Sequence, residues 1–141
     1  MGDTVNLAAR LESGSKQWGV YTQVAKSVFD KTNDKFVFRK LSKIRVKGRK
    51  EPVVTYELLC AIGEEPANLM ELIKKFELAR KLYENQDWDK AIKAFSISDK
   101  LEDMSGNRHT NPSRRYIEIC NEYKNNSPGK GWDGVYTQTQ K

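Results

Sequence analysis

The chain has 141 residues, of which 38% are hydrophobic and 31% charged, and Lys and Arg outnumber Asp and Glu to give a net charge of +6. This length suits one ordinary domain or two small ones. The longest uninterrupted apolar run, residues 58–62, is far shorter than the roughly 20 residues of a membrane-spanning helix. The first residues also lack the basic and apolar segments of a signal peptide, so we expect no export signal and no membrane contact by this segment.

The cysteines and the histidine are too scattered to form a clustered site. Cys60 and Cys120 lie far apart in the sequence, and His109 is the only histidine. This spacing argues against a disulfide framework and against a zinc site built on Cys and His. Two buried, reduced thiols suit a cytoplasmic protein.

The basic excess lies in the first part of the chain. Residues 1–63 carry 12 basic and 6 acidic side chains, whereas residues 64–141 carry 13 of each. The window from Lys35 to Lys50 contains 8 basic residues and no acidic one. Such a stripe attracts phosphate on a nucleotide or a nucleic acid. A solvated strand face with no binding role is an equally good interpretation of charge alone.

The first part of the chain has the pattern helix, strand, helix, strand, strand. The predicted elements are a helix from Asp3 or Thr4 to Gly14 and Ser15, a strand over Val20–Thr22, a helix over Val24–Lys31, a strand over residues 36–46 and a strand after Pro52. Val28 and Phe29 are predicted to face inward. The apolar alternation of the fourth element changes phase near Leu41, which indicates a bulge or bend.

The second part of the chain is predicted to be helical. Gly63-Glu64-Glu65-Pro66 breaks the strand pattern and divides the chain into domains 1–62 and 63–141. Apolar residues recur at the helical period over 69–83 and 88–95, which predicts a helical hairpin. After a polar loop, Asn111-Pro112 begins a third helix that ends near Asn125, and a tail follows Gly129. The fold class is therefore α+β, with a small hairpin-plus-helix unit after the mixed part.

The most informative string is Gly-Asp-Thr-Val-Asn-Leu-Ala-Ala-Arg-Leu-Glu at residues 2–12, because Asn6 and Arg10 project from the same side of its helix. It resembles the motif of class III nucleotidyl cyclases, the adenylate and guanylate cyclases. Four later blocks resemble the same domain in the same order: residues 17–21, 36–41, 45–49 and 52–58. The resemblance covers about residues 1–60 and implies the C-terminal half of a ferredoxin-like cyclase catalytic domain.

The resemblance also implies roles for individual residues. Arg10 would stabilise charge on the phosphoryl oxygens, and Asn6 would hold the ribose ring. Lys47 or Arg49, in the late basic turn, would bind the phosphates of ATP or GTP. The Mg²⁺ or Mn²⁺ ions of the complete enzyme are bound by aspartates in the half of the domain that precedes this motif. We therefore assign no metal ligand here and expect the isolated chain to be inactive.

The resemblance extends to partners and location. Class III cyclases place metal carboxylates and the Asn/Arg pair on opposite protomers, so we expect a homodimer or higher oligomer. The helical part resembles one tetratricopeptide repeat, and the third helix and tail resemble the extension of bacterial receptor-type cyclases, which places the segment at the cytoplasmic end of a membrane-anchored enzyme. A helical protein-interaction module and a basic nucleic-acid-binding protein are the alternatives, although we expect no nucleic acid partner.

Overall fold

The computed structural model describes Ser15 and residues 17–45, 51–104 and 108–137. It divides into two compact units, Met1–Glu65 with Val135–Lys141, and Pro66–Gly134. The first unit contains a small mixed sheet and the second contains three of the described helices. The predicted α+β class is therefore confirmed.

A helix ends at a glycine in the first unit. Ser15, Gln17 and Trp18 are helical, and Gly19 has a φ of 68°. The backbone N–H of Val20 donates to the carbonyl of Ser15 at 3.0 Å, which is the hydrogen bond of a Schellman cap with Gly19 in the left-handed position. The helical residues thus extend beyond the predicted end at Gly14 and Ser15, because Gly19 and not Gly14 supplies this cap.

The next strand and helix begin later than predicted. Strand β1 is Gln23–Ala25 and helix α1 is Lys26–Thr32. The prediction of a strand over Val20–Thr22 is wrong, because the paired register with β3 begins at Gln23, which lies opposite Glu57. Before it, the carbonyl of Thr22 accepts one hydrogen bond from the backbone N–H of Leu58 at 3.1 Å. Val28 is also not inward-facing, since it is 41% exposed.

Strands β2, Phe36–Arg45, and β3, Val53–Ala61, form an antiparallel pair that is the centre of the sheet. Lys40 lies opposite Tyr56 and Ser42 lies opposite Thr55, so Leu41 is an extra residue in β2. The predicted irregularity at Leu41 is confirmed, and its side chain is completely buried. A bulge of this kind bends a strand and changes which residues face the core.

The sheet has the order β1-β3-β2-β4. Strand β4 is Tyr136–Thr137, and it pairs parallel to Ile44 and Arg45 of β2. The sequence predicts a tail after Gly129, but this part of it adds an edge strand to the first unit. Its apolar neighbour Val135 is buried.

The two faces of this sheet differ in character. On one face, the ring of Phe29 stacks on Tyr56 with centroids 3.9 Å apart and meets Phe38 edge to face at 5.2 Å. The other face carries Arg39 and Glu57, which are opposite each other in the register. An aromatic cluster therefore holds α1 on one face, and polar side chains occupy the other.

The second unit is built from the predicted helices α2, Leu69–Glu84, α3, Trp88–Asp99, and α4, Pro112–Asn125. Asn111 caps α4, since its side-chain oxygen accepts a hydrogen bond from the backbone N–H of Arg114 at 2.9 Å. The buried apolar residues come from all three helices: Leu72, Phe76, Ala79, Tyr83, Ala91, Phe95, Tyr116, Ile119 and Cys120. Their helical spacing explains why sequence periodicity predicted these elements.

Candidate functional site

The four predicted site residues lie outside the part of the chain that the structure describes. Asn6 and Arg10 precede Ser15, and Lys47 and Arg49 come between β2 and β3 in the sequence. Their roles remain predictions. The structure does describe the segments that follow the motif and flank the basic turn.

Both flanks of the basic turn belong to the sheet. Ile44 lies opposite Val53 of β3 and also opposite Tyr136 of β4, and Ile44 is 4% exposed. Arg45, the last described residue of β2, pairs with Thr137. Residues 46–50 are therefore preceded by one paired strand of the sheet and followed by another.

A row of buried polar side chains crosses the three strands β1, β3 and β2. Gln23, Glu57 and Arg39 are consecutive cross-strand neighbours in the register. Arg39 is 1% exposed and Glu57 is 2% exposed. The Nε of Arg39 donates to Oε1 of Glu57 at 3.0 Å, and its Nη2 donates to the same oxygen. Such a pair is rarely buried unless its charges are matched and hydrogen-bonded.

The row continues toward the Leu41 bulge. The hydroxyl groups of Ser42 and Thr55 lie 2.8 Å apart and are buried. At the other end, Gln23 is 8% exposed, and neither atom of its side-chain amide has a hydrogen-bond partner. The face thus contains one satisfied ion pair, one satisfied hydroxyl pair and one unsatisfied amide.

Sequence reasoning missed this row and placed Arg39 in a basic stripe. The available signal was the alternation of Glu57 with apolar residues in β3, but only the register brings it opposite Arg39. Because Arg39 is buried and paired, it does not belong to an exposed phosphate-attracting stripe. Of the neighbouring cations that the structure describes, Lys35 is exposed and Lys40 is half-buried.

The described residues do not form a metal site. Among them, no group of three His, Cys, Asp or Glu side chains is arranged to hold a metal ion. Asp30 forms an ion pair with Lys26 of the same helix, in which Nζ of Lys26 lies 2.8 Å from Oδ2 of Asp30. Both cysteines are free thiols, and burial raises the pKa of Cys60 and raises that of Cys120 to about 12. These thiols are therefore poor metal ligands and poor nucleophiles at neutral pH.

A second buried cation lies in the helical unit. The guanidinium of Arg80 is 3.4 Å from the hydroxyl of Tyr116, 3.4 Å from the carboxylate of Glu84 and 3.5 Å from that of Glu77. Burial opposes its charge, but the tyrosine and the two carboxylates outweigh burial and raise the Arg80 pKa. Burial also raises the pKa of Tyr116. This arrangement binds α2 to α4 rather than presenting a charge to a ligand.

Four aromatic side chains pack together at the end of this hairpin. Trp132 lies 5.1 Å from Tyr83, 5.3 Å from Tyr123 and 5.6 Å from Trp88, measured between ring centroids. Tyr83 is 2% exposed, so the centre of the cluster is filled by its own members. These contacts are those of a packed core and leave no open aromatic cage.

Comparisons with known proteins supply the functional information. No family model matches the chain, and no solved structure matches it. It is 27% identical over 124 residues to a Dictyostelium discoideum protein described as an adenylate cyclase, terminal-differentiation specific. The chain is related to an adenylate cyclase. The match covers 85% of this chain but 6% of that cyclase, so the chain spans a small part of its relative.

The extent of this match bears on the two units. Its 124 residues exceed the length of either compact unit, so the similarity to the adenylate cyclase includes residues of both. Residues of both the sheet-containing unit and the helical unit of this chain are therefore part of the match. None of the helices described is long and apolar enough to cross a membrane.

Proposed function

We propose that this chain contains the C-terminal half of a class III cyclase catalytic domain, followed by a helical extension. In the complete enzyme it would convert ATP to cyclic AMP and pyrophosphate. The similarity to an adenylate cyclase over 85% of the chain carries this proposal. The name of that relative favours ATP over GTP as the substrate.

The described elements agree with the position of the motif. Helical residues ending at Trp18 are followed by β1, α1, β2 and β3, which is the order that the class III resemblance implies after the Asn/Arg helix. The strands β2 and β3, which precede and follow residues 46–50 in the sequence, are paired with each other.

The chemistry assigns one task to each proposed residue. The ribose 3′-oxygen attacks the α-phosphorus and releases its proton to water. The bond from that phosphorus to the departing pyrophosphate breaks, and its electron pair leaves with the pyrophosphate. Negative charge rises on the phosphoryl oxygens, and the guanidinium of Arg10 would stabilise it. The amide of Asn6 would hydrogen-bond the ribose and keep its 3′-oxygen in line with the leaving group.

Lys47 and Arg49 would bind the triphosphate. An ammonium or a guanidinium near the β- and γ-phosphates offsets the charge of the substrate and of the departing pyrophosphate. Lys47 is our first choice for this contact, with Arg49 as the alternative. Loss of such a contact weakens substrate binding more than it lowers the rate of the chemical step.

The metal ions would come from elsewhere in the enzyme. Two-metal catalysis needs carboxylates that bind both ions. The class III resemblance implies that these aspartates precede the Asn/Arg motif in the catalytic domain and lie on the opposite protomer. We therefore propose that a second protomer supplies the carboxylates, that the active site lies at a dimer interface, and that the isolated chain makes no cyclic AMP with Mg²⁺ or Mn²⁺.

A chimeric enzyme tests this proposal. The full chain replaces the corresponding C-terminal segment of an active class III adenylate cyclase, starting at the Asn/Arg motif, and cyclic AMP formation is measured with Mg²⁺. We expect an active chimera in which Arg10→Ala lowers kcat by about 10²–10³-fold. Asn6→Ala should also lower kcat, whereas Lys47→Ala should mainly raise KM.

Arg114→Ala is the matched control, because Arg114 is a half-exposed arginine of the helical unit. It should leave cyclic AMP formation unchanged. A folded, dimeric chimera whose activity is indifferent to both Arg10→Ala and Asn6→Ala would refute the assignment. So would cyclic AMP formation by the isolated chain.

A further inference from the structure

An open apolar groove runs between α2 and α3 of the helical unit. Its volume is about 410 Å³. The residues that line it come from α2, from Asn85 immediately after its end and from two positions of α3: Lys75, Leu78, Lys81, Leu82, Asn85, Ala94 and Ile97. The aromatic core of the unit does not line this groove.

The groove exposes apolar surface that a soluble protein normally covers. Leu78 is 50% exposed and Ile97 is 52% exposed, one on each helix. The small side chain of Ala94 in α3 also lines the groove. Exposed aliphatic residues on two neighbouring helices can accept a ridge of apolar side chains, as helix-in-groove recognition requires.

The charges that line the groove are all positive. Lys75 and Lys81 are its only charged lining residues, and neither forms an ion pair with any residue that the structure describes. Arg114 and Lys124 of the same unit, by contrast, pair with Asp99 and Asp89. Two unpaired ammonium groups beside an apolar surface complement an occupant with acidic side chains.

We propose that this groove binds an acidic amphipathic helix of a partner protein. The apolar stripe of that helix would lie on Leu78 and Ile97, and its carboxylates would pair with Lys75 and Lys81. The distance along α2 from Lys75 to Asn85 is about 15 Å, which accommodates about three turns of a helix. The inference concerns the helical unit alone and does not depend on the cyclase assignment.

Binding of synthetic peptides to the full chain tests this proposal. Three fluorescein-labelled helical peptides share one leucine stripe at helical spacing and differ only in the flanking residues, which are Glu, Gln or Lys. Fluorescence anisotropy at low ionic strength should show saturable binding of the Glu peptide, about tenfold tighter than that of the Lys peptide. The difference should shrink at high salt, because exposed charges are then screened.

Variants distinguish binding in the groove from nonspecific binding elsewhere on the protein. Ala94→Gln fills the groove and should abolish binding, while Lys75→Gln with Lys81→Gln should remove the preference for Glu over Lys peptides. Met70→Gln is the matched control, since Met70 is a 58% exposed residue of α2 outside the groove, and it should bind like the parent. Circular dichroism checks that each variant remains helical.

Several results would overturn the proposal. One is the absence of saturable binding of the Glu peptide below about 1 mM. Another is equal binding of the Glu and Lys peptides, and a third is binding that Ala94→Gln leaves intact. Light scattering that shows self-association, lost in Ala94→Gln, would identify the occupant as a second copy of this chain instead.

Discussion

The buried ion pair between Arg39 and Glu57 gives the most decisive test of the sheet. Both side chains are at most 2% exposed, and two guanidinium nitrogens donate to one carboxylate oxygen. Removing one partner takes this ion pair away from the other charge, which stays buried. Replacing both with apolar residues removes the desolvation cost together with the attraction.

These considerations set the expected magnitudes. Arg39→Met and Glu57→Leu should each lower the free energy of unfolding of the first unit by about 3–5 kcal/mol. The double variant should differ from the parent by about 1 kcal/mol or less, because two apolar side chains then face each other across β2 and β3. A double-mutant cycle should therefore give a coupling energy well above the few tenths of a kcal/mol expected for independent sites.

Trp18 provides the assay, because it is the only tryptophan of the first unit and is 4% exposed. Urea unfolding is followed by its fluorescence in a Trp88→Phe, Trp132→Phe background. With a slope of about 2 kcal/mol per M, each single variant should shift the midpoint downward by about 2 M. Single variants that lose less than about 1 kcal/mol, or a double variant as unstable as the sum of the singles, would refute the reasoning.

Three further predictions use the same approach. Gln23→Met should raise the free energy of unfolding of the first unit by about 1–2 kcal/mol in the Trp18 assay, because it removes an unsatisfied buried amide; a loss of stability would contradict this. Asn111→Ala should lower the free energy of unfolding of the second unit by about 2 kcal/mol, measured by urea unfolding, because the side chain caps α4 and also donates to Asp99 at 2.7 Å. A decrease of less than about 0.5 kcal/mol would contradict the cap. Burial raises the pKa of the Cys120 thiol from 9.0 to about 12, so its contribution to stability is complete below pH 9 and is lost as the pH rises toward 12. Urea unfolding at several alkaline pH values should show a shallower decline in Cys120→Ala, and parallel declines in the two proteins would contradict this.

The helices illustrate what could be predicted from the sequence. Apolar residues at helical spacing predicted α2 and α3, and Asn111-Pro112 predicted the start of α4. The phase change at Leu41 predicted the bulge in β2. The candidate site residues Asn6 and Arg10 also come from a local motif, and their roles remain predictions because they lie outside the described residues.

Sequence alone determined what depends on near neighbours: the period of an amphipathic helix, a cap three residues away and a break in strand alternation. Only the tertiary structure decided which strands pair, and with it the burial of Arg39 against Glu57, the start of β1 at Gln23 and the return of Tyr136 to the sheet. The physical reason is that a cross-strand partner is chosen by register across 18 or more residues, and a one-residue change of register moves every side chain to the opposite face.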